Sequence, residues 1–214
     1  MNKYILSFFV FFLSCDISSS KPIDNPDPVF SVNDQDYKSM NKAYFASGCF
    51  WCVETIYESL DGVKEVYSGY AGGSTINPNY YQVMSGKTGH AEAIEIIYDE
   101  NVVSFDTLLK VFFDSHNPTT PNRQGPDYGT QYRSIAFYTS DVEKQAIMKI
   151  IANLNKEKYQ GNIVTEVTRL KKFYKAEAYH QNFEKRNPNQ EYDRAVSIPR
   201  LQKFKRKFPK LLKK

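Results

Sequence analysis

Cys49 and Cys52 stand three residues apart in Gly48-Cys49-Phe50-Trp51-Cys52-Val53-Glu54, a stretch that also holds the only tryptophan of the chain. Cysteine is a nucleophile as its thiolate, and a thiolate is favoured where unpaired backbone N–H groups and a helix dipole meet the sulfur. The surrounding sequence supplies such a place. Upstream, Ala43-Tyr44-Phe45-Ala46 reads as a short buried strand. Downstream, Val53, Ile56, Tyr57 and Leu60 fall on one face of a 3.6-residue period. The two sulfurs are therefore expected at a strand-to-helix turn, in or just before the first helical turn, with the aromatic rings of Phe50 and Trp51 exposed beside them. Other chemistries also use Cys-x-x-Cys: a thioredoxin-type redox pair, a structural disulfide and a zinc site. Zinc needs four ligands, and neither a second cysteine pair nor a ligand-like spacing among His90, His116 and His180 provides them.

The elements that must hold this turn fit into 214 residues, enough for one domain with extensions. Nine cations and no acid follow residue 193, on a chain of net charge +4, so the remainder is mildly acidic. A basic tail on an acidic body argues against a nucleic-acid-binding fold. At the other end, Lys3 and the apolar run Tyr4 to Leu13 read as an export signal, too short to span a bilayer once mature. Phe12-Leu13-Ser14-Cys15 resembles the lipobox of bacterial lipoproteins, which implies cleavage before Cys15 and a lipid on its sulfur. An ordinary secretory signal with an incidental cysteine is the plainer alternative. On the lipoprotein reading the protein is exported, faces the periplasm or cell surface, and keeps only Cys49 and Cys52 as redox-capable thiols.

Residues 16–39 are rich in Ser, Asp, Asn and Pro and read as a flexible tether. Strands are expected over 63–67, 91–98, 132–138 and 163–168. A short helix is expected over Asn77-Pro78-Asn79-Tyr80-Tyr81-Gln82-Val83, stopping at Ser85-Gly86, and further helices from the N-cap Ser104 and from the capping box at Ser140 to Glu143. Residues 119–129 carry dense turn signals, including Gly125-Pro126, and residues 173–183 form a tyrosine-rich segment of unassigned type. The order β-α-β-β-α-β-α-β predicts an α+β fold, a two-layer α/β sandwich with a mixed sheet and a ferredoxin-like core.

Three further clusters are dense in polar residues where packing alone requires none: Gly89-His90-Ala91-Glu92, the run 124–134 from Gln124-Gly125-Pro126-Asp127 to Tyr132-Arg133-Ser134, and Ala176-Glu177-Ala178-Tyr179-His180-Gln181. Together with Gly48-Cys49-Phe50-Trp51 they resemble, in order, the motifs of the A-type peptide methionine sulfoxide reductases. The likeness covers about residues 42–192. It implies a two-layer sandwich that returns methionine-S-sulfoxide, free or in proteins, to methionine. It implies Cys49 as nucleophile and Phe50 and Trp51 as the wall around the substrate methyl group. Glu92 becomes the acid, Tyr80 and Tyr132 the phenols that bind the sulfoxide oxygen, and Asp127 an active-site aspartate. His180 is expected as either a substrate contact or a structural hydrogen-bonder.

The chemistry asks for the same residue types. A sulfoxide oxygen leaves only if protonated, so the acid must keep its proton near neutrality, which burial achieves. Two departures from the family pattern stand out. There is no cysteine near the C-terminus, and Cys52 occupies a position often filled by glycine. Cys52 is therefore expected to resolve the Cys49 sulfenic acid through a Cys49–Cys52 disulfide. No metal or cofactor is expected; an external thiol, a thioredoxin-like partner or dithiothreitol, supplies electrons. The expected partners are oxidised proteins and peptides, the thioredoxin-like reductant, and a membrane through the lipid; nucleic acid is not expected, and the chain is expected to be a monomer. The expected organisation is a signal peptide at 1–14, anchor and tether at 15–40, the reductase domain at 41–192 and a basic tail at 193–214. A thioredoxin-like disulfide oxidoreductase and a non-enzymatic surface lipoprotein remain the alternatives.

Overall fold

The computed structural model describes Tyr37 and residues 39–214. The expected signal peptide, Cys15 and most of the expected tether lie outside the described residues.

Strand β1 (Asn41–Ser47) leads into helix α1 (Phe50–Glu58), and β2 (Val63–Ala71), the short helix α2 (Tyr80–Met84) and β3 (Ala91–Tyr98) follow. Helix α3 (Phe105–Ser115) precedes a two-strand hairpin, β4 (Arg123–Gln124) and β5 (Asp127–Tyr128), inside the loop that the turn signals mark. Then come β6 (Ser134–Tyr138), α4 (Asp141–Leu154), β7 (Glu166–Arg169), β8 (Phe173–Lys175), α5 (Phe183–Arg186) and α6 (Ile198–Lys207). The main sheet runs β7-β6-β1-β3-β2-β8. Its inner four strands, β6-β1-β3-β2, are antiparallel and joined in the ferredoxin-like path, while β7 lies parallel to β6 and makes the sheet mixed. This is the expected fold.

Alternation along β1 explains the layers. Ala43 and Phe45 face the helices, Tyr44 and Ala46 the opposite side. Phe45 is the hub of the helix-side core, with ring centroids 5.0 Å from Phe112 and 5.8 Å from Tyr57. A smaller cluster on the other face is covered by Leu170 and Phe173, just before and on β8. Local signals place the helices. Asn79 forms a reciprocal capping box with Gln82, and Ser104 caps α3. Ser140 caps α4 through Glu143 N–H, but the Glu143 carboxylate turns to Thr139.

The C-terminal segment departs from its expected role. A run of cations interleaved with Leu201, Phe204, Phe208, Leu211 and Leu212 suggests a solvated helix or a strip lying on an anionic membrane. Instead α6 packs on α1 and α3, with Phe204 buried and the other apolar residues turned against the core. Backbone bonds from Asp61 N–H to Leu211 O (2.8 Å) and from Lys213 N–H to Ser59 O (2.9 Å) fasten the last residues to the end of α1. Burying a phenylalanine contributes about 2 kcal/mol, which outweighs the exposure of a cationic face to water. The domain therefore does not end at residue 192.

Candidate active site

The nucleophile turn is built by backbone geometry. Gly48 has φ +91°, and a Cβ there would lie 2.6 Å from the Cβ of Gln124, so only glycine fits between β1 and the loop after α3. Cys49 is the N-cap of α1, and Cys52 sits in its first turn. Both thiols are free and buried. Their effect on one another is the largest influence on each. It holds the Cys49 thiol well above its ordinary pKa, with burial next, and lowers that of Cys52, which also feels the Arg200 guanidinium. The helix N-terminus alone would suggest Cys49 as the resting thiolate; contact with a second thiol overrides it, and Cys52 becomes the more acidic of the pair.

Glu92, at the start of β3, is 2 % exposed, and its Oε2 accepts the Phe50 N–H at 2.9 Å. Burial pushes its carboxyl up to about 8, against the opposing pull of that hydrogen bond. It is thus protonated at neutral pH and tied to the helix that carries the cysteines. Tyr80, Tyr132 and Asp127 join it: the phenols of Tyr80 and Tyr132 both lie in the fields of Glu92 and Cys49, and Asp127 in that of Glu92. Burial raises both phenols, Tyr80 to about 12, so each remains an O–H donor.

Phe50 and Trp51 are not both exposed as expected. Phe50 is fully buried, and Trp51 is half-buried, stacked on Phe183 with centroids 3.8 Å apart. His180 packs among Phe50, Trp51, Tyr80 and Tyr179. Burial lowers its pKa to about 4, leaving a neutral ring. Neither ring nitrogen of His180, nor the Trp51 Nε1–H, has a hydrogen-bond partner among the described residues. The reading of His180 as a structural hydrogen-bonder is therefore not what its geometry shows. His90 does take a structural role: its Nδ1 accepts from Gly73 N–H, and its Nε2 donates to Thr75 O.

The structure brings all nine expected residues of the domain together and adds others. Glu177 accepts the Tyr80 N–H and the Tyr70 O–H, each at 2.9 Å, and so sets the start of α2. Tyr192 donates to Asp127 Oδ2 at 2.7 Å, with its hydroxyl 4.0 Å from the Cys52 sulfur. Met84 Sδ lies 3.5 Å from the Tyr132 hydroxyl. Glu177 sits in a polar cluster visible in the sequence, whereas nothing local marks Tyr192 or Met84, which arrive by tertiary packing.

A family model described as peptide methionine sulfoxide reductase matches residues 41–212. Peptide methionine sulfoxide reductase MsrA of Nautilia profundicola is 52% identical over 165 residues, covering 77% of this chain and 94% of that protein. The protein of the same name from Trichodesmium erythraeum is 50% identical over 163 residues, covering 76% and 92%. Among solved structures, reduced Mxr1 from Saccharomyces cerevisiae superposes with a TM-score of 0.67 at 36% identity, over 70% of this chain and 87% of that one. Methionine sulfoxide reductase A of Corynebacterium diphtheriae gives 0.68 at 33% identity, over 72% and 77%. These likenesses run through the entire folded domain, α6 included in the family match, and they leave the thioredoxin-like alternative without support: the chain belongs to the peptide methionine sulfoxide reductase family.

Proposed function

We propose that this reductase acts on the S epimer of methionine sulfoxide, free and in proteins, by a two-thiol cycle confined to the first turn of α1. The Cys49 sulfur gives its proton to the Cys52 thiolate and attacks the sulfoxide sulfur while Glu92 gives its proton to the oxygen, and Tyr80 and Tyr132 donate hydrogen bonds where negative charge grows. The hydroxyl then passes to Cys49 as the substrate S–O bond and the transient bond between the two sulfurs break, methionine leaves, and Cys49 is a sulfenic acid. Phe50 and Trp51 form the wall beside the methyl group, and His180 and the Trp51 N–H offer polar contacts to the substrate backbone. Asp127, held by Tyr192, keeps that phenol beside the thiols. Cys52 then attacks Cys49, water departs, and a disulfide forms that a thioredoxin-like partner or dithiothreitol reduces by exchange.

The observation that carries this reading is the buried, protonated Glu92 fixed to Phe50 N–H. A carboxyl kept neutral at pH 7 serves a reaction that needs a proton donor, and a disulfide exchange does not. Incubating the protein with each sulfoxide epimer and dithiothreitol tests it: methionine should appear from the S epimer only. Methionine from the R epimer, or from neither while a disulfide substrate is consumed, would overturn it.

The proposal extends to location. Lys3, the run Tyr4–Leu13 and Phe12-Leu13-Ser14-Cys15 support export and lipid attachment at Cys15. Cys15→Ser should yield a soluble or unprocessed form; retention on membranes after a high-salt wash would refute the anchor.

A further inference from the structure

Four aromatic rings run in contact from one exposed side chain to another, with two residues of the site between them. Tyr81, on α2, is 80 % exposed, and its ring stands edge-on to that of Tyr80 with centroids 5.9 Å apart. Tyr80 packs on His180 at 4.6 Å, and His180 packs at 4.2 Å on Tyr179, which is 43 % exposed. Among the described residues three aromatic side chains are exposed, and two of them are the ends of this run; the third, Tyr128, is covered by the Arg123 guanidinium at 4.4 Å. Single exposed apolar residues are ordinary on a protein surface, but a run joined ring to ring through a binding cleft is not. The backbone under both ends is pinned. Asn79 and Gln82 cap α2 reciprocally, Glu177 accepts the Tyr80 N–H at 2.9 Å, and Arg186 Nη2 donates to the Tyr179 carbonyl at 2.7 Å. The middle of the run carries unused polar groups. Both ring nitrogens of His180 and the Trp51 Nε1–H are buried without a hydrogen bond among the described residues, and the two rings lie 5.6 Å apart.

We propose that Tyr81 and Tyr179 select the sequence around the oxidised methionine: they hold apolar, above all aromatic, side chains of an extended polypeptide whose sulfoxide is in the cleft. The inference rests on the reading of the cleft as the methionine-sulfoxide site and adds the class of polypeptide it favours. Cys49 is 6 % exposed and Glu92 2 %, so the sulfoxide must enter to meet them. A methionine side chain is short, so the main chain that carries it is drawn down onto the rings. The unbonded nitrogens of His180 and Trp51 suit the amides of that main chain. In an extended segment side chains alternate, so those two residues before and after the methionine point the same way as it does, each roughly 7 Å from it. That spacing is comparable with the steps of 5.9 Å and 4.2 Å from Tyr80 and His180 to the exposed rings. Tyrosine serves such contacts well, because a broad ring with few rotamers loses little freedom when a partner ring settles on it. Apolar residues at those positions are ones that a folded protein keeps inside and an unfolded one exposes. The favoured substrate is therefore an oxidised segment that has left its own core.

The test compares three S-sulfoxide substrates on the full chain with dithiothreitol. One is N-acetylmethionine-S-sulfoxide. The others are blocked pentapeptides with the sulfoxide at the centre, glycine on either side of it, and either phenylalanine or serine at both ends. The phenylalanine peptide should show a kcat/KM about tenfold above that of the serine peptide. In Tyr81→Ser that advantage should fall to about threefold, and in the double variant with Tyr179→Ser it should vanish, the loss appearing in KM and not in kcat. Tyr81→Phe, which keeps the ring, should keep the advantage. The acetylated amino acid has no second residue to place on the rings and should lose less than the phenylalanine peptide in each variant. Equal kcat/KM for the two peptides in the wild type, or an undiminished preference in the double variant, would overturn the proposal. So would equal losses on all three substrates, which mark a ring run that only shapes the cleft. If none of the three sulfoxides yields methionine, the reading of the cleft itself fails, and this selection falls with it.

Discussion

The backbone N–H of Phe50 donates to the carboxyl of Glu92 at 2.9 Å, so the proposed acid is bonded to the residue that follows the nucleophile. The proton donor and the attacking sulfur therefore move as one body.

Replacing Glu92 by Gln keeps that hydrogen bond and removes the transferable proton. Turnover should fall by about 10²- to 10⁴-fold with a much smaller change in KM. In the wild type the first step should decline as pH rises above about 8, where Glu92 ionises. Steady-state and single-turnover rates between pH 6 and 9 measure both effects; near wild-type turnover in the variant would remove Glu92 from its role.

The two cysteines should separate cleanly. Cys49→Ser is expected to lose all activity. Cys52→Ser should release about one methionine per enzyme and then stall with a thioredoxin-type reductant. Sustained turnover of the second variant at the wild-type rate, measured as methionine released, would mean that an external thiol reduces Cys49 directly.

Glu54 and Glu92 give stability a definite pH dependence. Both carboxyls are buried, and burial raises each to about 8 in the folded chain against 4.5 ordinarily. Between these values the native state binds more protons than the unfolded state, so stability is greatest below about pH 4.5 as far as these groups decide it. Their contribution is lost as pH rises towards 8. Glu54 Oε1 accepts from Asn182 N–H and its Oε2 from Ser68 Oγ, and glutamine retains one acceptor. Glu54→Gln should therefore match the wild type near pH 4.5 and exceed it at pH 8 to 9 in denaturant midpoint. An unchanged pH profile would contradict the burial argument.

Phe204 tests the reassigned C-terminus. Truncation to alanine removes a ring that is 4 % exposed and should cost about 3 to 5 kcal/mol, seen as a lowered thermal midpoint. A solvated tail would show no change.

Much of this was legible in the sequence because the signals are local. The Cys49 turn announces itself by a strand, a glycine and a helical period between residues 43 and 60, and the N-caps Ser104 and Ser140 act on the helix turn that follows them. What escaped depends on distant partners. The second thiol reverses the effect of the helix dipole on Cys49, which no periodicity reveals. The three residues of β8 pair with the edge of β2, too short a run for alternation to register. The apolar residues of α6 are outnumbered by lysines and arginines, so its mean hydropathy points to solvent although its apolar stripe finds α1 and α3. Arg200, on that same helix, comes to Cys52 only because the stripe is docked.

Strand β1 enters the domain at Asn41 and delivers Cys49 just past its far end, some seven residues and roughly 23 Å away. Entry point and reaction centre thus sit at opposite poles of the sheet. A pull applied at Asn41 is therefore carried by the ladders that β1 forms with β3 and β6 before it reaches the nucleophile turn.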